Sequence, residues 1–119
     1  MIVCVPVTPT GEIDPRWGRA ARVAVADARD GAVTSWEEIE VGWDGLHDMG
    51  SEGGHHARVA RFLLEHGAEV VVADHMGDPM LHMLAEMGVD VRLGAGGDAR
   101  AAVLAVTAGR ADPRELGSR

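Results

Sequence analysis

The chain has no lysine, a single cysteine and very few aromatic side chains. All 11 basic residues are arginines, 19 residues are acidic, and the formal charge is −8. An acidic chain repels phosphate backbones, which argues against nucleic acid as a partner. Aromatic residues make up 3% of the sequence and hydrophobic residues 46%. A chain of 119 residues with this composition predicts one domain of ordinary size with an aliphatic core.

The single cysteine, Cys4, excludes an internal disulfide and any zinc or iron–sulfur site built only from the cysteines of one chain. Its β-branched surroundings predict a small core residue, with a cluster ligand as the less favoured alternative. One free cysteine is typical of a reducing compartment. The opening MIVCVPV lacks the length and basic lead-in of a signal peptide, and no apolar run reaches membrane length. We therefore expect a cytoplasmic protein with no membrane partner.

The first half of the chain predicts strands. Ile2–Val7 is rich in β-branched residues, and Pro6 indicates that the end of this strand is not centrally paired. Thr8–Ala20, with two prolines and two glycines, reads as a loop. Arg22–Ala28 and Ala32–Val41 flank Asp30-Gly31, a pair that favours a tight primed turn, so they predict a β-hairpin.

The second half alternates helices with strands. We expect helices over about 54–66, 79–87 and 98–108, and strands over 69–73 and 89–93. Such alternation implies right-handed crossovers and parallel strands. The glycine-rich segment 42–54 before it predicts a functional or mobile loop, in which His47 is expected to be solvated. The predicted fold class is α/β: a mixed five-stranded sheet, in the order β-β-β-α-β-α-β-α, flanked by helices.

Three glycine-containing turns lead into the predicted helices: GGHH at 53–56, DHMG at 74–77 and GAGG at 94–97. In open α/β sheets, ligands bind beyond the carboxyl ends of the strands, close to helix N-termini that attract anions. Imidazole and thioether groups suit iron, copper or metal sulfides. The predicted crevice is therefore lined by Gly54, His55, His56, His75, Met76, Gly77, Gly94, Gly96 and Gly97, with His56, His55 and His75 as candidate metal ligands.

Each histidine also has a purely structural interpretation. His56 shares a helical face with Val59 and Leu63, so we expect it to point inward over the sheet, as a ligand or as a hydrogen-bonded core residue. His55 is expected nearer the edge of that face, where a structural role is favoured. His75 and Met76 follow a strand, where functional residues gather, so function is favoured for them.

Motifs of several catalytic classes do not occur. The sequence has no Gly-Lys-Ser/Thr phosphate loop, no Gly-x-Ser-x-Gly elbow, and no His-Glu-x-x-His or paired-cysteine zinc spacing. The GAGGD segment at 94–98 does not complete a dinucleotide fingerprint. No catalytic residue is predicted, and we do not expect an enzyme.

The motifs, taken in order, resemble one known family. IVCVPVT, GEIDPRWGRA, TSWEEIE, GGHHARVARFLLEHGAEVVVADHMGDPM and VRLGAGGDARAAV are similar to segments of the dinitrogenase iron–molybdenum cofactor biosynthesis family. The resemblance is to the NifX/NifB C-terminal type, which includes small stand-alone members and the molybdenum–copper orange protein. It covers residues 1–109 as a single cluster-binding domain and leaves 110–119 as a tail expected to be flexible.

The resemblance implies a ribonuclease H-like fold and a site that binds a cluster. The family's Gly-His-His segment falls on His55 or His56, and its Gly-His-Met-Gly turn falls on residues 74–77. Where relatives commonly have His-Phe-Gly-Arg, this chain has residues 16–19, Arg-Trp-Gly-Arg. Arginine cannot ligate a metal. Two interpretations stay open: Arg16 and Arg19 neutralise an anionic cluster or oxyanion and Trp17 covers its apolar side, or Trp17 packs under the loop and the arginines are solvated.

The expected function is therefore that of a small, non-catalytic binding or carrier protein. The implied cargo is iron–molybdenum cofactor, its iron–sulfur precursor, or a molybdenum–copper sulfide, and cofactor-assembly proteins are the implied partners. Two alternatives stay open: a small enzyme or sensor that binds a phosphorylated or nucleotide ligand in the same crevice, and an assembly module without a cofactor. The sequence also leaves open a homo-oligomer.

Overall fold

A computed structural model describes residues 1–46 and 52–107 of the chain. Its helices and strands are β1 (Ile2–Pro6), a 3-10 turn (Trp17–Arg19), β2 (Arg22–Arg29), β3 (Ala32–Glu40), α1 (Trp43–Leu46), α2 (Glu52–Glu65), β4 (Val70–Val72), α3 (Asp78–Glu86), β5 (Asp90–Arg92) and α4, described over residues 99–107. The expectations for His47 and for the tail at 110–119 lie outside the described residues.

The five strands form one mixed sheet in the order β3-β2-β1-β4-β5. The pairs β1–β2 and β2–β3 are antiparallel, whereas β1–β4 and β4–β5 are parallel. The mixed α/β sheet with flanking helices confirms the predicted fold class. The strands β4 and β5 have three residues each, fewer than the five expected for each from sequence.

The hairpin between β2 and β3 confirms the turn predicted at Asp30-Gly31. Both residues have positive φ angles, 55° at Asp30 and 77° at Gly31. This is the backbone of a primed turn, which continues the right-handed twist of the flanking strands. Pro6 also lies where the sequence indicates. Because β4 pairs with β1 only at Val3 and Cys4, the proline, which has no N–H to donate, lies beyond that pairing.

Alternation along the strands gives each face of the sheet its own apolar core. On one face, α2 and α3 cover Cys4 and Val71 with residues such as Leu63 and Leu84, which are at most 1% exposed. On the other face, α4 packs over alternate positions of the strands. The small side chains of β2 on that face are Ala24, Ala26 and Ala28, and Ala99 and Val103 of α4 belong to the same core. A helix can approach such an alanine surface closely.

Strand directions place four carboxyl ends at one edge of the sheet. The parallel strands β1, β4 and β5 run the same way, and β3 does so too because two antiparallel pairings separate it from β1. We call this the upper edge. It carries residues 8–20 (the β1 loop), 73–77 (the β4 turn) and 93–97 (the β5 turn). The helix α2 descends from the upper edge, because its other end leads back to the start of β4.

Candidate functional site

Backbone contacts join the β1 loop to the β4 turn. Arg16 forms an isolated parallel bridge with His75, so the two residues are neighbours across the gap between β1 and β4. This gap lies where the chain continues in opposite directions along the sheet, from β1 to β2 and from β4 to β5. In open α/β sheets that position is the usual place for a ligand. Two of the predicted site residues are thus brought together.

The β5 turn is hydrogen-bonded to both of the other segments at the upper edge. The Gly94 N–H donates to the Asp74 carbonyl at 2.8 Å, beside His75. At the far end of the turn, the Ile13 N–H donates to the Gly97 carbonyl, also at 2.8 Å. The β5 turn therefore bonds to both the β4 turn and the β1 loop, and the three segments form one continuous rim.

The glycines of the β5 turn leave open space at this rim. A Cβ built on Gly94, Gly96 or Gly97 would meet no heavy atom within 4 Å. Gly94 and Gly97 have positive φ angles of 81° and 79°, a conformation that strains other residues, whereas Gly96 is not in that region. At Gly77 the nearest atom would be Pro79 Cδ at 3.8 Å, an ordinary contact. A bulky ligand can therefore approach the backbone here.

Arg16 is exposed and is held by a buried acid. Its side chain is 61% exposed, and that of Asp14 is 8% exposed. The Asp14 carboxylate accepts from the Arg16 backbone N–H at 2.9 Å, from Nε at 3.3 Å and from Nη2 at 3.4 Å. The hydrogen bond and the negative charge of Asp14 raise the pKa of Arg16. Arg19, also exposed, lies one turn further along the loop.

Trp17 packs beneath the β1 loop and not over its outer surface. It is 2% exposed and meets Trp43 of α1 edge-on, with ring centroids 5.3 Å apart. Trp43 in turn contacts Phe62 of α2 at 5.6 Å. The Trp17 Nε1–H is the one buried side-chain donor or acceptor without a hydrogen-bond partner that the described residues contain. The structural interpretation of Trp17 thus agrees with its packing.

The prediction that His56 is the inward-facing histidine is wrong. His55 is 4% exposed and His56 is half-buried. The helix α2 begins at Glu52 rather than at Gly54, and His55 aligns with Val59 and Phe62, four and seven residues on. A helical wheel cannot distinguish these two faces, because both 55 and 56 lie within one turn of Val59.

Both ring nitrogens of His55 are hydrogen-bonded. Nε2 lies 2.8 Å from the Gly18 carbonyl oxygen, and Nδ1 lies 2.8 Å from Arg58 Nη1. A carbonyl can only accept and a guanidinium can only donate. Nδ1 must therefore be the acceptor and Nε2 must carry the proton. For His55 to ligate a metal, one of these two bonds would have to break.

The other predicted site residues are spread along the rim. His75 is exposed, whereas Met76 is 8% exposed and belongs to the core beneath the β4 turn. Cys4 is fully buried in the sheet, and burial raises the pKa of its thiol to about 12. This thiol is neutral at ordinary pH, and its position agrees with the core role predicted for it.

No group of three or more His, Cys, Asp or Glu side chains that could hold a metal ion occurs in residues 1–46 and 52–107. Within these ranges, the side chains do not fit a bare ion held by protein ligands alone. They fit better a ligand that brings its own sulfide or oxide shell and needs cationic and N–H groups around it.

In the described part of the chain, no helix is long and apolar enough to span a membrane.

Two residues of the site escaped the sequence analysis. Asp14 supports Arg16, and Arg58 holds His55. The spacing of Asp14 and Arg16, two residues apart around a proline, is a local signal that could have indicated the first pair. Arg58 follows His55 by three positions, which places both on one helical face, but it reads from sequence as a solvated arginine.

Comparison with known proteins agrees with this architecture. A structure of PH0822 is 21% identical with a TM-score of 0.73 over 92% of this chain and 90% of its own, which bears on the fold alone. The apo form of the orange protein from Desulfovibrio gigas is 27% identical, with a TM-score of 0.71 over 91% and 88%. A putative NifB protein from Thermotoga (TM1290) is 25% identical, with a TM-score of 0.65 over 92% and 89%. No curated protein sequence matches the chain.

The family assignment rests on a sequence match that covers most of the chain. The sequence model described as "Dinitrogenase iron-molybdenum cofactor" matches residues 1–109. The match spans every described strand and helix, as well as the whole upper edge. The chain therefore belongs to the dinitrogenase iron–molybdenum cofactor family.

Proposed function

We propose that this protein binds and carries an anionic metal–sulfur cluster at the upper edge of its sheet. The cargo classes are iron–molybdenum cofactor, its iron–sulfur precursor and a molybdenum–copper sulfide. Family membership supports a role in cofactor binding. The observation that carries the proposal is the pairing of exposed Arg16 with His75, next to glycines whose Cβ positions are open.

The chemistry of the rim favours an anion with its own ligand shell. A guanidinium has five N–H donors in a planar fork and suits oxygen or sulfur atoms of a multiply charged ligand. Two side-chain N–H groups of Arg16 bond to Asp14, and the others remain available to a ligand. Arg19 adds a second exposed cation. The Gly94 and Ala95 N–H groups are already bonded to the β4 turn, so the further backbone donors of the proposal are the N–H groups of Gly77, Gly96 and Gly97.

Few of the side chains with soft donor atoms are placed to bind a metal of the cargo directly. The exposed His75 imidazole is the side chain best placed to bind a metal of the cargo directly, with His56 as a second candidate. Met76 supports the floor of the site through its buried thioether. His55 and Trp17 serve beneath the rim, where they hold the β1 loop. A carrier of this kind would pass its cargo to a cofactor-assembly protein.

Reconstitution tests the proposal directly. Purified protein would be incubated without oxygen with tetrathiomolybdate and copper(I), or with an iron–sulfur precursor, then desalted and analysed for molybdenum, copper and iron. We expect stoichiometric metal and a charge-transfer absorption band that is absent from the reagents alone. If no mixture leaves stoichiometric metal on the protein, the proposed function is wrong.

Matched histidine variants locate the cargo. His75→Ala should lower metal retention, whereas His82→Ala should not. His82 is also exposed but is paired with Glu86 on α3 at 3.3 Å, outside the rim.

A nucleotide panel with divalent cations, measured by thermal shift, separates the enzyme or sensor alternative. Stabilisation by a nucleotide without any response to thiometalates would favour that alternative.

A further inference from the structure

We infer that His55 is a positioning residue for the arginine-bearing β1 loop and not a ligand to the metal. The inference rests on the proposed function, because it assigns a role within the same site. His55 is buried under the rim, 37 residues away in sequence from the loop carbonyl that it contacts. It therefore links α2 to the β1 loop across the interior of the protein.

The donor and the acceptor of each hydrogen bond in this link can be assigned. Arg58 Nη1 donates to His55 Nδ1, and His55 Nε2 donates to the Gly18 carbonyl oxygen. Arg58 thus selects the Nε2–H tautomer, which is the only neutral form able to bond that carbonyl. Arg58, His55 and Gly18 are thus joined by two successive hydrogen bonds, and each donates in the direction from α2 toward the β1 loop.

The loop residue that receives the bond lies between the two exposed arginines. Gly18 is in the centre of the 3-10 turn at Trp17–Arg19, directly before Arg19 and two residues after Arg16. A Cβ on Gly18 would lie 3.6 Å from His55 Nε2, an ordinary contact distance, so the ring packs directly against this turn. Holding this carbonyl holds the backbone that presents both guanidinium groups.

Packing restricts the His55 ring further. It meets Trp43 edge-on at a centroid distance of 6.3 Å, and Trp43 also contacts Trp17 of the same loop. The imidazole is thus confined by an aromatic ring as well as by its two bonds. A ring in this position supports the loop from below, on the side away from the open rim.

Two amide substitutions separate positioning from ligation. The amide nitrogen of Gln lies near the place of Nε2 and can donate to Gly18, whereas the amide oxygen of Asn lies near Nδ1 and can only accept from Arg58. After reconstitution with tetrathiomolybdate and copper(I), we expect His55→Gln to retain about wild-type molybdenum. We expect His55→Asn to bind about tenfold more weakly, the effect of losing one buried hydrogen bond. Equal loss of metal in both variants would overturn the inference in favour of ligation, and full retention in His55→Asn would overturn it as well.

Nuclear magnetic resonance of the metal-free protein gives a readout that does not depend on cargo. Long-range nitrogen–proton spectra should show His55 as the Nε2–H tautomer, and Arg58→Gln should shift it toward a tautomer mixture. Arg61→Gln, on the exposed side of the same helix, is the control and should leave the tautomer unchanged. An Nδ1–H tautomer in the wild-type protein would overturn the inference. If the wild-type protein retains no metal, the proposed function fails, while this measurement still decides the role of His55.

Discussion

Arg16 and Asp14 form a side-on ion pair in which the buried carboxylate holds the exposed guanidinium by its Nε and Nη2 atoms. Asp14 also accepts from the Arg16 backbone N–H, so one carboxylate orients both the main chain and the side chain. Nη1 takes no part in this pair, and the Arg16 side chain is 61% exposed. The pair therefore presents a preorganised donor edge next to His75, where a freely rotating arginine would have to be ordered by its ligand.

Arg16→Gln should weaken cargo binding without unfolding the protein. Charge-assisted hydrogen bonds contribute about 1.5–3 kcal/mol, so we expect the dissociation constant for tetrathiomolybdate to rise by about tenfold or more. Equilibrium dialysis with molybdenum analysis measures it. Arg29→Gln is the control, because Arg29 is exposed at the hairpin turn on the opposite edge. An equal loss in both variants would mean that only net charge matters.

Gly96→Leu should block the site while leaving the fold intact. No heavy atom lies within 4 Å of a Cβ at this position, and its φ angle is not in the left-handed region. We expect a melting temperature close to that of the wild-type protein and at least about a tenfold loss of cargo affinity. Gly97→Leu serves for comparison: its φ of 79° should add about 1–2 kcal/mol of backbone strain and lower the melting temperature. Full binding by Gly96→Leu would place the cargo elsewhere.

Cys4 should be unreactive in the folded protein. Burial raises the pKa of its thiol from 9.0 to about 12, so the folded state favours the neutral form. The resulting stabilisation is fully present below pH 9 and is lost as the pH rises from 9.0 toward about 12. We expect slow reaction with a disulfide reagent at pH 8 and fast reaction in urea. Rapid reaction of the folded protein would contradict the buried position.

Trp17→Phe should cost little stability. The substitution removes a buried N–H that has no partner, and such a group carries a penalty of about 1–3 kcal/mol. This gain offsets the smaller ring, so we expect the free energy of unfolding to change by less than about 1.5 kcal/mol. Trp17→Ala, which leaves a cavity against Trp43, should cost about 3–5 kcal/mol. Urea unfolding measures both, and a large loss in the Phe variant would mean that the indole N–H has a partner.

Local patterns account for most of the fold. Asp30-Gly31 predicts its turn because few residues tolerate positive φ, and the β-branched runs around Cys4 and Val71 predict strands buried on both faces. The alternation of strands and helices after residue 52 dictates parallel crossovers. These features depend on neighbours within a few residues, so they can be read along the chain. The order of the motifs also carried the family resemblance, which the match over residues 1–109 bears out.

The contacts that define the site depend on residues far apart in sequence, and the tertiary structure alone decided them. Which of two adjacent histidines is buried depended on the contacts of His55 with Trp43 and Gly18. The pairing of Arg16 with His75 required β1 and β4 to lie side by side. Composition and periodicity determined an acidic α/β domain; the predicted glycine turns at 74–77 and 94–97 do precede helices, whereas the one predicted at 53–56 lies inside α2. Which of its polar side chains are buried and which line the site was decided by the tertiary structure, because burial and hydrogen-bond partners are properties of the packed chain.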